Sequence, residues 1–235
     1  MNILDTIIAA KKIEVEERKA QRPLPILEKE VFFNRTPLSL AQFLKDPART
    51  GIIAEFKRKS PSKGAINTQA DVGAVTAAYA NCGASAISVL TDESFFGGTA
   101  DDLRVARQQM VPLLRKDFMI DAYQVYEAKA MGADIILLIA ACLGPRQVLD
   151  LSRLAQDMGL SVLLELHDES ELNHVNEYTP IVGINNRNLK TFEVNIEKSL
   201  EMAAKLPAAC LKVAESGIDK VDMIRLLNKM DLTVF

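Results

Sequence analysis

Five apolar runs in this sequence end in side chains that packing alone does not call for. They are Ala54-Glu55-Phe56-Lys57, Leu114-Arg115-Lys116-Asp117, Leu164-Glu165, Ile184-Asn185-Asn186-Arg187 and Ala214-Glu215-Ser216-Gly217. An unpaired charge in a low-dielectric setting costs on the order of several kcal/mol. If the runs are β-strands, successive side chains alternate between faces, so Glu55 shares a face with Lys57, and Asn185 with Arg187. Lys57, Lys116, Glu55, Glu165, Glu215, Asn185 and Arg187 can then converge on one cavity. Several carboxylates beside two lysines suit general acid–base chemistry. Carboxylate neighbours keep a lysine protonated, while desolvation pushes the other way. Such a lysine delivers a proton to an oxygen, and a paired glutamate relays or removes one. A ring of structural ion pairs sealing a rim would explain any single strand end equally well. Charge at the same end of five strands favours a site.

Two further segments offer anion donors. Lys57-Arg58-Lys59-Ser60-Pro61-Ser62-Lys63-Gly64 is a basic, hydroxyl-rich loop of the kind that holds a phosphate; taken alone, it also suits a solvated loop. The Glu215-Ser216-Gly217 turn supplies a second set of donors where the next helix starts. His167 and His174 lack CxxC or HExxH company, so no metal site is expected. Cys82, Cys142 and Cys210 are far apart and odd in number, which predicts reduced, buried thiols in a cytoplasmic protein.

The elements that must position these residues repeat. Asn81-Cys82-Gly83, Ala130-Met131-Gly132 and Asp157-Met158-Gly159 each end a helical stretch just before a β-rich run. Glycine adopts the left-handed conformation that stops a helix, and helix, glycine, buried strand in repetition marks a parallel sheet. Strands are predicted near 51–56, 86–90, 111–116, 134–139, 162–166, 181–185 and 212–215. Helices are predicted over 70–81, 101–108, 123–130, 145–158 and 222–230. No GxGxxG follows any strand, which weighs against a doubly wound open sheet. The fold expected is α/β, a (β/α)8 TIM barrel with its site at the carboxyl ends of the strands. Residues 1–48 read as a helical extension, with helices at 3–18 and 38–45, the second starting at Thr36-Pro37. The extension is expected to lie across one end of the barrel, and it could also cover the mouth of the site. Residues 49–235 read as the barrel. Leu232-Thr233-Val234-Phe235 begins an eighth strand, and the eighth βα unit is expected to be incomplete, leaving a sheet edge open.

Composition narrows the partners. The chain has 235 residues and a net charge of −3. Near-neutral charge argues against nucleic acid or an anionic membrane as a partner, and no apolar stretch is long enough to span a bilayer. A monomer acting on a small molecule is expected.

The motif Ile52-Ile53-Ala54-Glu55-Phe56-Lys57-Arg58-Lys59-Ser60-Pro61-Ser62 resembles the signature of the indole-3-glycerol-phosphate synthases. Leu114-Arg115-Lys116-Asp117-Phe118, Leu164-Glu165, Gly183-Ile184-Asn185-Asn186-Arg187 and Ala214-Glu215-Ser216-Gly217 resemble it too, in the same order. The resemblance implies a lyase of tryptophan biosynthesis that needs no cofactor or metal. Its phosphorylated substrate would be 1-(2-carboxyphenylamino)-1-deoxyribulose 5-phosphate. It implies Lys116 as general acid at the carbonyl oxygen, Lys57 as binder of the substrate carboxylate and Glu165 as base. Either lysine could protonate the departing hydroxyl. Glu55, Asn185 and Glu215 would orient the lysines and sugar hydroxyls, and Arg187 would touch substrate. Ser60 and Gly217, with the adjoining Ser216, would hold phosphate, and Phe96, Phe118 and Leu189 would hold the aromatic ring. A loop after the eighth strand completes the family's phosphate cup. Its absence here predicts weakened substrate binding and lower stability than in a complete barrel.

Two rivals remain at this stage. A phosphoribosylanthranilate isomerase would carry Cys and Asp as its acid–base pair at strand ends, where this chain carries Lys and Glu. A catalytically inactive barrel, completed by a partner at the open edge, is the reading without an enzyme.

Overall fold

The computed structural model describes residues 3–61, 63–187, 193–218 and 220–235, apart from the Lys198 side chain. Eight strands form one parallel sheet in sequence order: β1 Ile53–Phe56, β2 Ala86–Leu90, β3 Leu113–Lys116, β4 Ile135–Ile139, β5 Ser161–Leu166, β6 Ile181–Asn185, β7 Leu211–Glu215 and β8 Leu232–Val234. Ile52 bridges Val234, and the Val234 amide donates to the Gly51 carbonyl, which brings the first and last strands together. The open edge expected after the eighth run is therefore not found. β8 pairs with β7 along its whole length, and Leu232 and Val234 are buried.

Strand alternation divides the core in two. Ile53, Ala86, Leu114, Ile135, Leu137, Leu163, Ile181 and Val213 point inward and pack together inside the barrel. Leu113, Ile136, Leu138, Val162, Leu164, Val182, Ile184 and Ala214 face outward beneath the helices. This two-sided burial explains why the strands read as nearly continuous apolar runs.

The predicted helix stops hold. Gly83, Gly132 and Gly159 have φ of 84°, 90° and 74°. Side chains open the helices as well: Asp71 accepts from the Ala74 amide ahead of helix Val72–Asn81, and Thr99 forms a capping box with Asp102 ahead of Ala100–Ala106. The helix expected at 38–45 starts later, at Leu40–Lys45, because Ser39 rather than Thr36-Pro37 supplies the cap. The helix Ile196–Lys205 fills the expected helical connection between β6 and β7. Cys82 is exposed and Cys142 and Cys210 are half-buried, so the thiols are free but not sealed in the core.

The N-terminal segment touches both ends of the barrel. Leu40 is fully buried against the inward-facing cluster, and nearby Arg35 forms an ion pair with Asp134 at the foot of β4. Helix Ile3–Gln21 lies over the opposite end, where Ile3, Leu4 and Ile7 line the cavity described next. No helix among the described residues is long and apolar enough to cross a membrane.

Candidate active site

The inward positions at the carboxyl ends of the strands are where the apolar layers give way to charge. Leu114 is followed two residues later by Lys116, Leu163 by Glu165, and Val213 by Glu215. These side chains open into a cavity of about 410 Å³. Lys116 Nζ lies 3.1 Å from Glu165 Oε2 and 3.3 Å from Glu215 Oε2. Asn185 Nδ2 donates to Glu165 Oε1 at 2.8 Å. On β1, Lys57 forms an ion pair with Glu55, as their shared face requires. Asn185 Oδ1 accepts the Arg187 amide at 3.0 Å, which closes the turn at the end of β6.

The electrostatics follow from this arrangement. Burial opposes charge on Lys116, but Glu165, Glu215 and Glu55 outweigh it and hold the ammonium above the ordinary lysine range. Burial also works against charge on Glu165, yet Lys116, His167 and Asn185 hold it well below the usual carboxylate range. Glu215 goes the other way. Burial pushes it up, Lys116 pulls it down, and the negative charge of Glu165 adds to the rise, leaving it at about 8. Two carboxylates sharing one ammonium thus separate into one anion and one group that keeps its proton at neutral pH. The same cavity thus holds a protonated carboxyl beside a carboxylate.

Phe96 and Phe118 form one wall, with ring centroids 6.0 Å apart and planes tilted by 41°. Phe96 is carried by the short helix Glu93–Phe96, whose cap is Asp92. Ser60, Arg187, Ser216 and Gly217 also line the cavity. Ser60 belongs to a two-stranded hairpin, and its hydroxyl accepts from the Lys63 amide at 3.2 Å. Ser216 and Gly217 both have positive φ, 70° and 72°, a backbone region unusual for serine. Every predicted site residue among the described ones therefore reaches the same cavity; Leu189 lies outside the described residues.

Two lining residues, Phe235 and His167, and two residues behind the wall, Lys11 and Arg115, receive no site role from the sequence. Lys116 Nζ sits 4.4 Å from the centre of the Phe235 ring, a cation–π contact with the residue just past β8. His167 Nε2 lies 2.9 Å from Glu165 Oε1. Its position two residues after Glu165 was the available signal, since alternation places both on one face. Lys11, on the N-terminal helix, is 1% exposed, with Asp92 and Asp117 each 2.9 Å from its Nζ and Glu14 at 2.8 Å. It ties that helix to the two segments that carry Phe96 and Phe118. Arg115, beside Lys116 but pointing outward, is fully buried and bonds Asp117 at 2.9 Å and Glu127 at 2.7 Å.

The barrel itself is widely shared. A solved structure of 3-hexulose-6-phosphate synthase superposes with a TM-score of 0.57 at 13% identity, covering 78% of this chain and 86% of that one. A chain from the tryptophan synthase a2b2 complex of Pyrococcus furiosus superposes with a TM-score of 0.56 at 15% identity, covering 79% and 86%. At that identity the likeness concerns the fold alone. Sequence comparison is more selective. An indole-3-glycerol phosphate synthase from Bacteroides thetaiotaomicron is 44% identical over 229 residues, 97% of this chain and 87% of the relative. One from Bordetella pertussis is 43% identical over 239 residues, 100% of this chain and 91% of the relative. The model of the family "Indole-3-glycerol phosphate synthase" matches residues 4–235, a span that holds all of the cavity's chemistry except Ile3, and on these grounds the chain belongs to the indole-3-glycerol phosphate synthase family.

Proposed function

We propose that this chain closes and decarboxylates 1-(2-carboxyphenylamino)-1-deoxyribulose 5-phosphate, releasing indole-3-glycerol phosphate, carbon dioxide and water, with Lys116 as the general acid and Glu165 as the base. The observation that carries this division of roles is the placement of Lys116 Nζ between Glu165 and Glu215 on the floor of the cavity. Lys116 donates to the ketone oxygen as the ring carbon bearing the carboxylate attacks the ketone carbon. Loss of carbon dioxide restores electrons to the ring. The new hydroxyl then leaves as water after protonation, and Glu165 removes the ring-side proton. Glu215, held neutral, and Asn185 position the Lys116–Glu165 pair. Lys57, paired with Glu55, receives the substrate carboxylate. Phe96 and Phe118 flank the ring, Ser60, Ser216 and Gly217 receive the phosphate end, and Arg187 touches the substrate.

The same reading makes residues 1–48 an extension of a single barrel formed by residues 49–235. All the proposed site residues come from one chain, which suits a monomer, and the unpaired cysteines suit a reducing cytoplasm.

The test is conversion of the carboxyphenylamino deoxyribulose phosphate, followed through the rise of indole fluorescence. Lys116→Ala is expected to lower kcat by roughly a hundredfold or more, the usual contribution of a general acid. Equal turnover by wild type and Lys116→Ala would remove Lys116 from the acid role.

A further inference from the structure

We propose that His167 is a positioning residue for the base: its imidazole steers one oxygen of Glu165 and, through its own protonation, sets how readily that carboxylate accepts a proton. The inference rests on the reading of Glu165 as the base. β5 ends at Leu166, and His167 follows on the same face as Glu165, within the cavity lining. Its backbone amide donates to Glu171 Oε2 at 2.6 Å, which fixes the turn out of the strand. Nε2 then lies 2.9 Å from Glu165 Oε1, an ion-pair contact without hydrogen-bond alignment; the same oxygen accepts from Asn185, while Lys116 takes Oε2. The three groups leave the Glu165 carboxylate little freedom to rotate.

The other histidine shows what a structural role looks like. In His174, Nδ1 is 2.9 Å from the Glu171 carbonyl and Nε2 is 2.8 Å from the Leu143 carbonyl, so both ring nitrogens are occupied by the backbone. His167 places Nε2 within ion-pair distance of Glu165, and neither of its ring nitrogens has an aligned hydrogen-bond partner among the described residues.

The titratable groups facing His167 are Glu165 on its own strand, Glu171 in the following turn and Glu215 on β7. Burial opposes charge on the imidazole, but the acidic groups around it, Glu165 foremost, outweigh it and hold His167 above the ordinary histidine value. Lys116 acts on the same Glu165, and burial, with Glu165 and Glu171 adding to it, pushes the Cys142 thiol up to about 12 and keeps it neutral. With imidazolium and ammonium both against it, Glu165 is a poor base. When His167 loses its proton, Glu165 becomes a better one. A proton taken from the substrate can then pass from Glu165 Oε1 to Nε2, breaking an O–H bond and forming an N–H bond.

The experiment is the pH profile of kcat and KM for wild type and His167→Gln, which keeps an amide donor but cannot titrate. Wild-type kcat is expected to rise with pH through the titration of His167. In His167→Gln that limb is expected to move down by about one pH unit or more, with KM changed less than about threefold. An unmoved limb, or a kcat lowered equally at every pH, overturns the proposal. If the variant does not fold, nitrogen-15 histidine resonances of the wild-type protein carry the test, since the sequence holds only two histidines. The His167 midpoint is expected above the ordinary value and lower in Glu165→Gln; a midpoint indifferent to that change overturns the contact. Full turnover by Glu165→Gln would instead overturn the base assignment, and the resonance midpoint separates that failure from a failure of the His167 contact.

Discussion

Gly183 and Glu215 share one volume: a β-carbon built on Gly183 would fall 1.8 Å from Glu215 Oε1. Gly183 points into the barrel from β6, and the Glu215 side chain fills the space it leaves. Without that space the carboxyl could not lie back towards Lys116. Gly183→Ala is therefore expected to displace Glu215, cost about 1–3 kcal/mol through overpacking, and lower kcat roughly tenfold to a hundredfold through misplacement of Lys116. Urea denaturation and steady-state kinetics on the same preparation check both parts. A variant of wild-type activity would mean that the position of Glu215 is unimportant.

Removal of the Lys11 ammonium leaves Asp92 and Asp117 buried without one of their counter-charges. Lys11→Met is expected to destabilise the protein by about 3–5 kcal/mol, the usual cost of breaking a buried pair from one side. The double variant Lys11→Met, Asp92→Asn should lose less than the sum of the single changes, because the charge left unpaired is removed with its partner. Denaturation midpoints for the three variants decide this.

Ser216 holds a φ of 70° that glycine adopts without penalty. Ser216→Gly is expected to raise stability by about 1 kcal/mol through relief of that strain. If the hydroxyl helps receive the phosphate end, KM rises in the same variant. Thermal unfolding and KM moving in opposite senses would show that local stability has been exchanged for binding.

Glu215 gives the free enzyme a defined dependence on pH. Its folded value lies above that of an unfolded glutamate, so the folded state binds the extra proton. The stabilisation is fully present below about pH 4 and is lost as pH rises to about 8. Glu215→Gln, which cannot ionise, should flatten the decline in stability between those limits. The urea midpoint measured at pH 5.5, 7 and 8.5 in both proteins checks the slope. Glu165 has the opposite sense: its depressed value contributes stability above the unfolded value that is lost in more acidic solution.

The barrel and the floor of its site were legible because both depend on period-two alternation. Glu55 with Lys57, and Asn185 with Arg187, needed only the strand period to be placed on one face. Gly83, Gly132 and Gly159 marked helix ends through their own backbone preference. What stayed hidden depends on contacts distant in sequence. Nothing in the first helix itself marks Lys11; only the fold brings Asp92 and Asp117 around it. His167 lacks the company of a metal motif, and its partner Glu165 is two residues away on the same face. The short eighth run looked like an open edge because the sequence does not show that Ile52 reaches Val234. The start at Thr36-Pro37 lost to Ser39, whose hydroxyl accepts the Gln42 amide.

Arg115 and Lys116 are adjacent cations with opposite surroundings. Arg115 is enclosed outside the sheet by Asp117, Glu127 and the Gln124 carbonyl, and Lys116 stands inside between Glu165 and Glu215. A slip of β3 by one residue would exchange them. The guanidinium would enter the cavity, and the ammonium would face a cage built for a planar, forked donor. A slipped strand would thus be penalised on both faces at once, so the folding chain verifies the alignment of β3 with the same pair of residues that divides the outer ion cage from the cavity.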